Sequence, residues 1–449
     1  FAAGRYVRAV HSLLLANDPF GVHPVFLDRL GGALMFCSET APLAARTDLP
    51  VALNHDALAE YFGLGLVLSD DTLLAGISNL PPGTTHRAQD GEVREARYEA
   101  APASASGMGV RQDLEELAHE GAATLRTIMQ ELAGSGTDVV HLLSGGADTR
   151  LMVSCLSAEQ RAQAEFLTSC VSALDPSTDR DVLVASRLAA RLGLHHQIVR
   201  IFFTEIPFGP DAFDRDRAVH PKRILGGWHG GEFLGGFGFK ERPITPQTDR
   251  SQVDSRLEAT LSPDFLRSLS RHPFDTYLRH LDEAGGDEFA LVIRQFTRPF
   301  FSRIYNGTRG AWLEPCQLPA YPNSPFWDSR FLDLLMRVPA DALRDYAFYD
   351  RVYREHFREL LDLPLNSPLS RRPGACMSPI LEGTEPKDVV SLKYGAALER
   401  FRDDPATWAR GVYADELKER VRDPQDPVTA AFVDAEAWLR RYVDQDPGR

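Results

Sequence analysis

The chain has 449 residues, more than one ordinary domain holds at roughly 100–200 residues each, so two or three domains are expected. With 43% hydrophobic and 25% charged residues it has a globular composition, and a chain this long buries about 70–75% of its unfolded surface, which removes any need for a disulfide or metal staple. A net charge of −14 argues against a reader of nucleic-acid backbone, while leaving room for a local basic pocket that takes a nucleotide.

No apolar run reaches the ~18–20 residues of a membrane span, and no secretory signal opens the chain. A cytoplasmic protein with neither membrane nor nucleic-acid partners is expected. The chain begins at Phe1 rather than Met, so a further upstream segment is also expected. Cysteines 37, 155, 170, 316 and 376 show no metal-ligand spacing and read as buried thiols of a reducing compartment. The sequon Asn306-Gly307-Thr308 is expected to stay unmodified without a secretory context.

In chain order, the first hundred residues read as strands. Val7–Leu15, Val25–Leu27 and Ala33–Cys37 are short apolar runs punctuated by Asp18-Pro19, Asp28 and Gly31-Gly32, with one short helix over Asp56–Phe62. The small-residue stretch 101–109 reads as a linker that separates a 1–100 domain from a 111–449 domain. Leu114, Leu117, Gly121, Leu125, Ile128 and Leu132 then recur at helical spacing, closed by Gly134 and Gly136. Strands are expected at Val139–Leu143, Glu165–Ser169 and Gln197–Ile201, with helices after Gly146 and over Asp181–Leu192. Strands alternating with helices imply an α/β fold with a parallel sheet covered on both faces. Beyond residue 250 the pattern is mostly helical.

The strongest chemical signal is Leu142-Leu143-Ser144-Gly145-Gly146-Ala147-Asp148-Thr149-Arg150. A buried strand ends in Ser-Gly-Gly and a helix begins. Two glycines let the backbone approach an anion, and the first N–H groups of the helix point at it. Ser144 and Thr149 can add hydroxyls. Asp148 would repel a bare phosphate, but fits if it holds a Mg²⁺ riding on the phosphates. A strand–helix turn with an acid near the helix start also occurs with no ligand at all.

Ser-Gly-Gly-x-Asp-Ser/Thr after a strand resembles the pyrophosphatase loop of the asparagine synthetase family. Four further stretches are similar to that family: residues 16–26 (ANDPFGVHPVF), Phe36-Cys37-Ser38-Glu39, Leu80-Pro81-Pro82-Gly83, and Pro325-Phe326-Trp327-Asp328 followed by Arg337-Val338-Pro339. The resemblance implies an ATP pyrophosphatase domain of the adenine nucleotide alpha hydrolase-like type. That domain would carry a helical C-terminal part and follow a β-rich, partial amidotransferase-like (Ntn) domain. It further implies a C–N ligase that uses ATP and Mg²⁺ to adenylate a carboxylate, releases pyrophosphate, and passes the acyl group to ammonia or an amine.

On this alignment Ser144 to Thr149, with Ala147 among them, cradle pyrophosphate, while Leu142, Gly226 and Gly227 flank adenine and ribose. Metal ligands would be Asp148 and Glu232, because the family's second metal acid falls on Gly231. The acid linked with the attacking amine falls on Trp228, so either Glu232 takes a metal role or catalysis is altered or lost. His229 is a candidate proton carrier. Arg371 and Arg372 stand where the family places a lysine on the leaving pyrophosphate. Ala3 replaces the acid that grips glutamine, and no terminal cysteine nucleophile is present, so no glutaminase activity is expected.

The expected substrates are a small-molecule or peptide carboxylate and an amine donor. The reaction could be specialised, as in β-lactam synthetases or lasso-peptide cyclases, and a homodimer is the assembly to test. The alternative is a non-catalytic paralogue that keeps the fold as a binding or scaffold protein.

Overall fold

The computed structural model describes residues 2–18, 25–28, 34–44 (except 39), 52–98 (except 66), 113–133, 139–171, 175–201, 222–227, 230, 249–283, 320–344, 347–360, 362–365, 398–422 and 426–442. It is a mixed α/β structure with one parallel and two antiparallel sheets. The 101–109 linker and the 306–308 sequon lie outside the described residues, as do Cys316 and Cys376.

The N-terminal part holds strands β1 (Ala2–Val7), β2 (Ser12–Asn17), β3 (Phe26–Asp28), β4 (Met35–Cys37), β5 (Ile77–Asn79), β6 (Thr84–Gln89) and β7 (Glu92–Arg97). They form a four-stranded sheet, β1-β2-β6-β7, and a three-stranded sheet, β4-β3-β5, all antiparallel. The single strand expected over Val7–Leu15 is in fact a hairpin. A turn over Arg8–His11 breaks the run, and His11 has a left-handed φ of 45°. The apolar pattern hid this turn because Val10 within it is itself apolar, though exposed.

The helix His55–Leu64 starts at Asn54, whose side chain accepts from Ala57 N, and ends at Gly65 with φ 76°. It packs against the helix Arg250–Glu258, where a Cβ on Gly63 would stand 3.0 Å from Val253 Cγ1. Its Glu60 is 1% exposed, a position that a carboxylate tolerates only when fully paired. Oε2 accepts from Leu68 N and Ser69 N at 2.9 Å each, and Oε1 accepts from Arg271 at 2.8 Å. Arg271 also reaches Asp71 at 2.8 Å, so charged groups from two distant stretches of chain close on each other.

The parallel sheet contains β8 (Val139–Leu142), β9 (Glu165–Val171), β10 (His195–Ile201), β11 (Lys222–Leu225) and β12 (Ala320–Asn323), in the order β10-β9-β8-β11-β12. All four pairings are parallel. The chain runs outward from β8 to β9 and β10, then returns to lay β11 on the other side of β8. The order therefore reverses at β8, and ligands of open α/β sheets bind at such a reversal, beyond the carboxyl ends of the strands. Strand β12 sits in a stretch expected to be helical. It is an edge strand, the place where its Pro322 can be tolerated.

The helix Arg180–Leu192 packs on β9 and β10. The long helix Leu114–Ala133 packs with Ala147–Cys155 and Ala347–Phe357. Gly121 allows the close approach, since a Cβ there would lie 3.1 Å from the Phe348 ring. In the C-terminal helices the fully buried Glu436 is bonded by Arg410 at 2.6 and 2.7 Å, by Arg440 at 2.8 Å and by Thr407 at 3.0 Å. No helix among the described residues is long and apolar enough to cross a membrane.

On β8, His141 is 2% exposed, stacks on Phe166 with ring centroids 5.1 Å apart, and has no partner for Nδ1 among the described residues. Burial pushes its pKa down to about 4 from the usual 6.5. Between those values the unfolded chain binds a proton that the native chain does not, so acidification destabilises the fold. Urea unfolding should show stability falling from pH 6.5 toward 4, with a slope approaching about 1.4 kcal/mol per pH unit from this group. His141→Gln should remove that part of the slope, and an unchanged slope would contradict the assignment.

Candidate functional site at the end of the parallel sheet

Strand β8 delivers the loop. Leu143 N donates to Leu167 O at 2.7 Å, and Thr168 Oγ1 donates to Leu143 O at 2.6 Å, so the strand's exit is clamped to β9. Ser144-Gly145-Gly146 then turns the chain into the helix Ala147–Cys155. Gly146 occupies the cap position, φ −80° and ψ 167°, and has no side chain with which to cap this helix start. The helix thus presents first-turn N–H groups without intrahelical partners, and the positive end of its dipole, to whatever lies in front of it.

The loop's own amides are turned inward. Ser144 N donates to Thr149 Oγ1 at 3.1 Å, and Gly146 N donates to Ser144 Oγ at 3.1 Å. The two hydroxyls lie 2.9 Å apart. Gly145 N donates to Asp181 Oδ1 at 2.5 Å. Ser144 and Thr149, expected as donors to a ligand, therefore also act as acceptors that shape the loop.

Asp148 stands in the first turn of the helix. The Tyr349 hydroxyl donates to its Oδ1 at 2.6 Å across 201 residues of sequence. Tyr349 is 1% exposed, and burial, then the charge of Asp148, pushes its pKa well above the usual value, so the phenol stays a donor. The other wall is glycine. A Cβ on Gly227 would lie 2.8 Å from Asp148 Cβ and 3.0 Å from Thr149 N. One on Gly230 would lie 2.7 Å from both Asp148 Cγ and Phe326 Cε2. Gly226 N donates to Asn323 O at 3.0 Å, which fixes this segment to β12 as it leaves β11.

Two residues beyond Asp148 along the helix, Arg150 is fully buried. Its guanidinium donates to Leu360 O at 3.2 Å, Leu363 O at 2.9 Å and Pro364 O at 2.5 Å. It ties the loop's helix to the run that leads toward Arg371 and Arg372.

The structure thus brings Leu142, Ser144–Thr149, Gly226 and Gly227 to the ends of adjacent strands. Trp228, His229, Gly231, Glu232, Arg371 and Arg372 lie outside the described residues. Ala3 is exposed on β1, paired with Ala16. Among the described residues no three His, Cys, Asp or Glu converge as a metal cluster. Asp148 nevertheless suits Mg²⁺, which keeps several waters and takes one or two protein carboxylates beside substrate phosphates. Tyr349, Gly230 and Asp181 were not found from sequence. Gly230 lies between His229 and Gly231, and Asp181 is named only as a helix start, but nothing near Tyr349 in sequence marks it.

Residues 1–99 match the model of a glutamine amidotransferase domain. The chain is similar to the glutamine-hydrolyzing asparagine synthetase 1 of Bacillus subtilis (strain 168), at 25% identity over 188 residues, covering 41% of this chain and 28% of that protein. A protein of Mycobacterium tuberculosis (strain ATCC 25618 / H37Rv), provisionally named a glutamine-hydrolyzing asparagine synthetase, is 23% identical over 274 residues, covering 55% of this chain and 40% of its own length. The chain thus spans well under half the length of these relatives. The NH3-dependent NAD synthetase of Campylobacter jejuni subsp. jejuni NCTC 11168, solved with a nitrate ion, aligns with 43% of this chain and 96% of its own at 16% identity. Its TM-score of 0.21 is too low to carry weight.

Because Gly230 leaves no room behind Asp148, Gly230→Ala should force the carboxylate or the Phe326 ring aside. The expected cost is about 1–3 kcal/mol, typical of overpacking, measured by chemical denaturation. Tyr349→Phe deletes a bond to a charged group and should cost about 1.5–3 kcal/mol. Wild-type stability in both variants would show that the Asp148 wall is not tightly packed.

Proposed function

We propose that the chain belongs to the asparagine synthetase family and is an ATP-dependent amide-forming ligase with its nucleotide site at the β8–β11 crevice. The observation that carries this reading is Asp148, set by Tyr349 at an uncapped helix start and backed by the glycines of the neighbouring strand's loop. Beyond accepting from Tyr349, an acid at that point of a strand–loop–helix can hold a cation that rides on phosphates in front of it.

In the proposed reaction a substrate carboxylate oxygen attacks the α-phosphorus of ATP. The bond from that phosphorus to the bridging oxygen breaks, and pyrophosphate leaves with the electron pair. An amine nitrogen then attacks the acyl carbon, loses a proton, and AMP departs. The N–H groups and dipole of the helix Ala147–Cys155 would receive the charge that develops on the leaving pyrophosphate, already oriented before reaction. Leu142 and the Gly226-Gly227 backbone would border adenine and ribose. A Mg²⁺ held by Asp148, with Glu232 as second carboxylate, would neutralise phosphate charge. Arg371 and Arg372 would reach the pyrophosphate, and His229 would carry the amine proton. The acyl substrate is a small-molecule or peptide carboxylate that need not be aspartate, and a specialised cyclisation of the β-lactam or lasso type fits the same chemistry.

A second reading, a binding paralogue without catalysis, draws on the loop amides of Ser144, Gly145 and Gly146, each already bonded within the chain. Pyrophosphate release from ATP and Mg²⁺ across a panel of carboxylic acids separates the two. Asp148→Asn should abolish release, by at least 100-fold on the scale of a lost transition-state charge partner, while leaving the circular dichroism spectrum unchanged. Release that survives the substitution would contradict the role of Asp148. Nucleotide binding with no release for any acid would favour the paralogue.

A further inference from the structure

Asp181 belongs to the connection after β9, the neighbour of β8, and lies in the first turn of the helix Arg180–Leu192. That helix does not need it as a cap. Asp179 already accepts from Asp181 N at 2.9 Å and from Val182 N at 3.4 Å. Its carboxylate is instead turned across to the glycine loop, where Oδ1 takes the Gly145 N–H at 2.5 Å. It lies between the positive ends of two helices, its own and Ala147–Cys155. Among the described residues, three side-chain oxygens accept from the amides of Ser144, Gly145 and Gly146; two are neutral hydroxyls and this one is charged. A carboxylate on a backbone N–H at the mouth of an anion loop makes the interaction that a phosphate oxygen would make. Two anions cannot share that N–H.

We propose that Asp181 holds the place of the anion. Its carboxylate accepts the Gly145 N–H, which a pyrophosphate oxygen takes over on binding. Once displaced, it faces the phosphates, and like charges at that range repel unless a cation lies between them. Asp181 thereby makes anion binding depend on a divalent ion and excludes metal-free pyrophosphate. This rests on the reading of the Ser144–Asp148 loop as a nucleotide site.

The test is calorimetric titration of the full chain with inorganic pyrophosphate, with and without Mg²⁺, for wild type, Asp181→Ala and Asp181→Asn. Wild type should bind well only with Mg²⁺. Both variants should bind metal-free pyrophosphate at least tenfold more tightly than wild type, and the gain from Mg²⁺ should shrink by a similar factor. Asp181→Asn keeps the side chain's shape and an acceptor oxygen, so it serves if the alanine variant fails to fold. Wild-type binding with Mg²⁺, combined with less than a tenfold change in metal-free affinity in the folded variants, overturns the role of Asp181 alone. No binding by any of the three proteins in either condition overturns the loop reading and this proposal with it.

Discussion

The site is organised around the 2.6 Å bond from the buried Tyr349 hydroxyl to Asp148 Oδ1. A phenol that is 1% exposed is costly without a hydrogen-bond partner, and here the partner is an acid at a helix start. The bond fixes one carboxylate oxygen, and with it the direction of the other. Behind Asp148, Gly227 and Gly230 leave no volume into which the side chain could retreat. The carboxylate is held from two sides by elements far apart in sequence, so its position reports the packing of much of the domain.

That packing follows from the order of strands. Because β11 returns to the far side of β8, the loop after β8 and the glycine segment after β11 leave neighbouring strands at the same end of the sheet. Strand β9, on the other side of β8, brings Asp181 to the same end. The Arg150 guanidinium, spread over three carbonyls, fastens the loop's helix to the 360–364 turn. A fully buried guanidinium is costly unless it is hydrogen-bonded in this way. Three strand ends and one buried arginine thus define a crevice whose chemistry is set by two acids and a helix dipole.

Much of this was legible in the sequence, and the reason differs by part. The strand before Ser144 and the helix after Gly146 stood out because apolar periodicity changes sharply there and two glycines mark the join. The helices Leu114–Ala133 and Arg180–Leu192 were readable from their spacing and closing glycines to within a residue or two. Strand β12 was hidden because four residues around a proline carry no strand pattern of their own. The Arg8–His11 turn was hidden inside an apolar run. Gly226 and Gly227 are placed by the family resemblance, and Gly227 does reach the loop. Tyr349 was invisible for a plainer reason: a tyrosine among aromatics on an amphipathic helix looks like core, and only tertiary packing aims its hydroxyl at Asp148. Asp181 was read only as the start of a helix, although Asp179 already caps it.

The central claim is that the crevice between the ends of β8 and β11 receives the phosphates of ATP. The most direct measurement is a crystal structure of the chain with Mg²⁺ and a non-hydrolysable ATP analogue. The account predicts the phosphates in front of the first turn of Ala147–Cys155, with a cation against Asp148 and the adenine beside Leu142 and Gly226-Gly227. A nucleotide bound elsewhere, with Asp148 still turned to Tyr349 and no density in the crevice, would contradict it.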